Sequence, residues 1–153
     1  MKKFHYFLVL AVILSSCGSS TKYLERGNYD AAIDKSVKVL LKNPDKTKEI
    51  TTLQTSYALA NQKDQDAINQ LKMSGQPDIY DEIHYRYSRL HDRQEVVERL
   101  PERVLDNMGF RHVDYNETMA ESKKKAAAFL YAHAESQLKI GDKLKGTRRS
   151  KQV

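Results

Sequence analysis

The chain has 153 residues, one cysteine, no tryptophan and 30% charged side chains, with 26 basic against 20 acidic groups. That length fits one small domain able to bury a core, and a lone cysteine excludes a disulfide framework. The net charge of +6 sits at the two ends: Lys2 and Lys3 open the chain, and residues 139–153 hold six basic side chains against Asp142 alone. Residues 17–138 carry 18 basic and 19 acidic groups, so the body lacks the basic surface a nucleic-acid partner would need.

Met1 to Cys17 reads as two lysines, an apolar run Tyr6–Leu14, two serines and the thiol. This is the layout of a secretory signal peptide, and the apolar run is far short of the roughly 20 residues a spanning helix needs. Leu14-Ser15-Ser16-Cys17 resembles the lipobox of bacterial lipoproteins. The resemblance implies cleavage before Cys17, a diacylglyceryl group on its sulfur and an acylated new amino group. Stable anchoring takes more than one chain, and that residue would supply two or three. On this reading residues 1–16 are signal peptide, 17–20 a lipidated tether, 21–142 a helical domain and 143–153 a basic, disordered tail. Ser19 stands where an aspartate retains many lipoproteins in the inner membrane. The resemblance therefore points to the outer membrane, with the body facing the periplasm.

The body reads as helices, with no sustained period-two alternation. Thr21–Arg26 is a short stub closed by Gly27, and Asn28 can cap the next helix. Tyr29, Ala32, Ile33, Val37, Leu40 and Leu41 form one stripe, stopped at Asn43-Pro44. Ile50, Leu53, Tyr57 and Ala60 make a second helix from Thr47. A polar break at 61–64 follows, and Ala67, Ile68 and Leu71 make a shorter helix ending at Gly75-Gln76-Pro77. Tyr80, Ile83, Tyr87 and Leu90 share a face over 78–90, and His91-Asp92-Arg93 reads as a polar turn. Val96 to Met108 is helical around Pro101, which either opens a new helix or kinks a longer one. Residues 109–115 form an extended connector. The last helix spans 117–140, with Thr118 and Glu121 at capping-box spacing and Gly141-Asp142 at its end.

Ala32 and Ala67 lie 35 residues apart, and Pro44 and Pro77 lie 33 apart. Gly27-Asn28-Tyr29-Asp30-x-Ala32-Ile33, with Val39 and Pro44 after it, resembles the turn and second helix of a tetratricopeptide (TPR) repeat. The resemblance implies an all-α fold: a TPR-like right-handed array of helical hairpins, an α-solenoid, irregular and truncated at the C-terminus. Ala32 and Ala67 would be notches for facing helices. The last helix resembles the first half of a further unit whose second half is missing. Leu130, Ala134 and Leu138 then either fold back or form an interface, including one for self-association.

The sequence offers no catalytic, cofactor or metal set: no glycine-rich phosphate loop, no Gly-x-Ser-x-Gly elbow and no His-Glu-x-x-His helix. His84 and His91 are about 10 Å apart along a helix, too far to chelate together. His91 and Glu95 straddle the predicted turn, and Asp81 and Glu82 beside His84 are ordinary neighbours on a charged helix. Tyr29, Tyr57, Tyr80 and Tyr87 belong to packing stripes, which leaves Tyr85 and Tyr115 as candidate exposed contacts. Lys123-Lys124-Lys125 reads as a solvated face. The expected function is a non-enzymatic, lipid-anchored cell-envelope adaptor that binds another protein, with Cys17 the lipidation site and no cofactor. The alternatives are an envelope glycan-binding or glycan-processing lipoprotein and an accessory to outer-membrane protein assembly.

Overall fold

A computed structural model of the chain describes residues 19–150, and Cys17, the lipobox and the signal segment lie outside the described residues. The fold is all-helical, with no strand among the described residues. The helices are α1 (Ser20–Glu25), α2 (Tyr29–Leu40), α3 (Thr47–Ser74), α4 (Tyr80–Glu98), α5 (Glu102–Asn107) and α6 (Asn116–Ser150). No helix among the described residues is long and apolar enough to cross a membrane. The contacts divide the chain into two units, each with a hydrophobic core of its own.

The first unit takes in the chain up to Lys63 together with 92–112. Gly27, at φ +71°, supplies the left-handed residue that turns α1 into α2. Asn28 Oδ1 accepts from the Ala31 amide at 3.4 Å and caps α2 as the sequence predicts. Ile33, Val37 and Leu40 of α2 pack with Ile50 and Leu53 of α3, Val97 of α4 and Val104 of α5. Ala32 is fully buried, as a notch requires. The sequence assigns Ser20 to the lipidated tether. It is instead the first residue of α1, capped by Ser19, and it is buried. Its hydroxyl donates to Glu49 Oε2 at 2.6 Å, and buried Ser36 donates to the same oxygen at 3.0 Å. One carboxylate of α3 thus satisfies two hydroxyls, from α1 and α2, that would otherwise be buried unpaired.

The second unit comprises 64–91 and the chain from Val113 onward. Ile68, Ile79, Ile83, Tyr87 and Leu90 form its core, with Tyr80, Tyr115 and Met119 against it. Ala67 is only half-buried here, a weaker notch than Ala32.

Two predicted turns are absent. α3 runs unbroken through Asn61-Gln62-Lys63-Asp64, and α4 through His91-Asp92-Arg93. Three of the polar residues that suggested loops, Asn61, Asp64 and Arg93, are partners in networks with a buried charge. Within the first unit, Arg93 has a side chain only 3% exposed and reaches Asp30 at 2.9 Å and Asn61 at 2.7 Å. Within the second, fully buried Asp64 accepts from Arg86 at 3.0 Å and lies 3.4 Å from Arg89. Its hydrogen bond raises the Arg86 pKa above the ordinary value. Neither segment contains proline or glycine, so helix continuation costs little once the charges are paired. The predicted second two-helix unit, 47–74, is therefore one helix.

Pro101 sits immediately before α5 and opens it, the first of the two sequence alternatives. Residues 110–115 form the expected connector. The predicted capping box does not form: α6 starts at Asn116, whose amide donates to Asp114 at 2.9 Å, and Glu121 pairs instead with Lys125. α6 also continues past Gly141-Asp142, through the segment expected to be loose, to Ser150. Gly141 has no left-handed φ, and a glycine without the capping geometry costs a helix only about 1 kcal/mol.

Candidate functional site

Two features of the second unit offer surface chemistry. The first is a cavity of about 210 Å³ lined by Lys72 of α3, Tyr80, Ile83 and Tyr87 of α4, and Thr118, Glu121, Ser122 and Lys125 of α6. The lining follows from helical spacing, since Thr118, Ser122 and Lys125 recur at three and four residues, as do Tyr80, Ile83 and Tyr87.

Its charges are organised by aromatic rings. Lys72 Nζ donates to the Tyr87 hydroxyl at 3.0 Å and lies 5.4 Å from that ring's centroid. Lys125 Nζ lies 5.1 Å from the Tyr80 centroid and 2.7 Å from Glu121 Oε1. Cation–ring contacts at such distances hold an ammonium group without neutralising it. The Lys125 hydrogen bond and charge, with Lys72 further off, hold the Glu121 carboxyl below its ordinary range; Glu121 in turn pushes the Lys125 ammonium up. Two cations face one anion, so the cavity is cationic. Ser122 is buried and donates to the Thr118 carbonyl at 2.8 Å, which leaves its hydroxyl committed to the helix.

The second feature is the exposed stretch of α6. Ala126 is its last buried residue among those up to 144, and Leu130, Tyr131, Leu138, Ile140 and Leu144 are 54, 76, 70, 50 and 67% exposed. Leu130, Ala134 and Leu138 recur at steps of four, and Leu144 lies 14 residues from Leu130, nearly four turns, so these residues share one side. Glu135, Lys139, Asp142 and Lys143 fall on the other, where Glu135 and Lys139 pair at 2.9 Å. Of the two predicted fates for this row, folding back onto the described residues is not seen for Leu130 and Leu138, which remain exposed.

The residues singled out by sequence fall variously. His84 lies beside α6, with Nδ1 3.1 Å from the Met119 carbonyl and 3.4 Å from Ser122 Oγ. His91 and Glu95 share one helix and not opposite sides of a turn. Tyr85 is half exposed, as expected, with the Arg86 and Arg89 guanidinium groups 5.8 and 5.9 Å from its centroid. Tyr115 is half-buried against the Tyr87 ring, with centroids 6.4 Å apart, which withdraws it as an exposed contact. Lys125 was assigned to a solvated run with Lys123 and Lys124, yet it lines the cavity. Its spacing from Thr118, Glu121 and Ser122 was the available signal, but the opposing wall from α3 and α4 is a tertiary pairing.

Compared with protein-family models, curated proteins and solved structures, the chain finds no match in any of the three.

Proposed function

We propose that the chain is a lipid-anchored adaptor of a bacterial cell envelope, which uses the exposed stretch of α6 to hold another protein. The observation that carries the docking half is the row Leu130, Leu138 and Leu144, more than half exposed on one side of a helix whose other side is charged. Exposed apolar rows of this kind mark interaction surfaces, and a row at helical spacing suits a second helix. Residues 130–150 hold five basic side chains against Glu135 and Asp142. The complementary partner is therefore an amphipathic helix with acidic flanks. A second copy of α6 would bring the same positive excess and is disfavoured by like charge.

Support for the anchor is the lipobox-like Leu14-Ser15-Ser16-Cys17, three residues before buried Ser20. With Ser20 fixed to Glu49, little chain separates the lipid from the body. We place the protein at the outer membrane, facing the periplasm, because Ser19 is not an aspartate. The α1–α2 hairpin, with Gly27, Asn28, buried Ala32 and Pro44 in register, supports a TPR-like first unit; the long helices α3 and α4 make the array irregular.

Fatty-acid labelling tests the anchor: label on the wild type and none on Cys17→Ser is expected, and label persisting on the variant refutes it. Sedimentation of residues 17–153 tests the use of α6. A monomer at tens of micromolar is expected, whereas a dimer that Leu138→Glu dissociates would assign the row to self-association.

A further inference from the structure

We propose that the cavity of the second unit binds a carboxylate carried by a protein segment: an aspartate or glutamate side chain, or a chain terminus. The cavity belongs to a different part of the surface chemistry from the apolar row, and its geometry stands without the adaptor reading.

The cationic groups are placed but not used up. Lys72 has one hydrogen-bond partner, the Tyr87 hydroxyl, which leaves two of its three ammonium hydrogens to donate. Tyr87, having accepted from Lys72, keeps its own hydroxyl hydrogen for a ligand. Lys125, opposite, is held by Glu121 and by the face of Tyr80. An incoming carboxylate oxygen within reach of Lys72 and Tyr87 receives a charge-assisted hydrogen bond from one and a neutral bond from the other. The second positive charge raises the local potential and cancels the repulsion of Glu121.

Size and walls narrow the class. About 210 Å³ admits a side chain or a terminal residue and not a large cofactor. Ile83 supplies an apolar wall against which the methylenes of an acidic side chain can pack. A sugar acid would need an open ring face to stack on. Here Lys72 lies over Tyr87, which is itself buried, and Lys125 lies over Tyr80. The rings orient the lysines instead of presenting bare faces. Glu121 further rejects phosphate and sulfate, whose second charge and extra oxygens would meet it, more strongly than a monoanion.

The test is an NMR titration of residues 17–153 with three short probes: acetyl-Ala-Glu-Ala-amide, acetyl-Ala-Ala with a free carboxylate, and the neutral acetyl-Ala-Gln-Ala-amide. Shifts confined to residues lining the cavity are expected with at least one carboxylate probe at low millimolar concentration. Which of the two binds tighter distinguishes side chain from terminus. The neutral probe is expected to bind at least tenfold more weakly. Lys72→Met, at an exposed position that should fold normally, is expected to weaken the carboxylate probe at least tenfold, with Lys125→Met as a second variant should the first perturb the fold. Equal binding of the neutral probe, no shift at 20 mM, or unchanged affinity in both variants would overturn the inference. Each of those failures would leave the labelling and sedimentation results on Cys17 and α6 untouched.

Discussion

Ser20 Oγ donates to Glu49 Oε2 at 2.6 Å, joining the first turn of α1 to the first turn of α3 across 29 residues of sequence. Ser36 donates to the same oxygen, so one carboxylate ties α1, α2 and α3 together. Six-residue α1 is too short to be stable alone and depends on such tertiary ties. Glu49→Ala leaves two buried hydroxyls without their acceptor. Its expected cost is about 2 kcal/mol, the usual scale for a hydrogen bond to a charged group, read as a lower urea midpoint. Ser20→Ala, which removes a donor and leaves the carboxylate to Ser36 and solvent, should cost less than Glu49→Ala.

The Asp64 network gives a larger effect. Its carboxylate is fully buried, while Arg86 and Arg89 keep 24 and 31% of their side chains exposed. Asp64→Asn leaves two guanidinium groups sharing a neutral acceptor in the second unit. The expected loss is about 3 kcal/mol, the low end for breaking a buried pair, because both arginines can partly rehydrate. Thermal unfolding checks it, and a shift under about 1 kcal/mol would show that the pairs are already open to water.

Glu121 provides a pH signature. Its folded-state pKa is depressed, so its contribution is present above the ordinary carboxyl value, 4.5 for glutamate, and is lost as pH falls through the lower folded-state value. A carbon-detected NMR titration should place its midpoint below 4.5. In Lys125→Met the midpoint should move back up, since the Lys125 hydrogen bond and charge are the leading causes.

Much of this was legible in the sequence, and what was not has a common cause. Gly27-Asn28 is legible as turn and cap, because glycine at φ > 0 and an asparagine N-cap are local requirements. The apolar stripes were legible for the same reason: Ile33, Val37, Leu40, Leu53 and Leu90 are all buried. The helix through 61–64 and 91–93 is not legible, because polarity in the sequence looks like exposure. Asp64 and Arg93 are polar and buried, each satisfied by residues 22 to 63 positions away. The cavity was missed for a related reason. Lys72, Tyr87 and Lys125 are unremarkable on their own helices and acquire a role only where α3, α4 and α6 meet.

For α6, substitution on the exposed row should separate folding from docking. Ala134→Arg and Leu138→Glu replace residues that touch little of the body, so the stability of the isolated chain should change by no more than about 0.5 kcal/mol. A loss of 2 kcal/mol or more would mean that the row is covered by the chain itself in solution.

The central claim is that this row holds a different protein. The most direct measurement is in-cell photocrosslinking with the reactive residue placed at Leu138, on the row, and in parallel at Lys139, on the charged side, with mass spectrometry of the adducts. The account predicts a heterologous adduct at Leu138 whose crosslinked segment is an amphipathic helix with acidic flanks, absent at Lys139 and lost when Leu130→Glu is added. Adducts only between copies of this chain, or the same adducts from both positions, would contradict it.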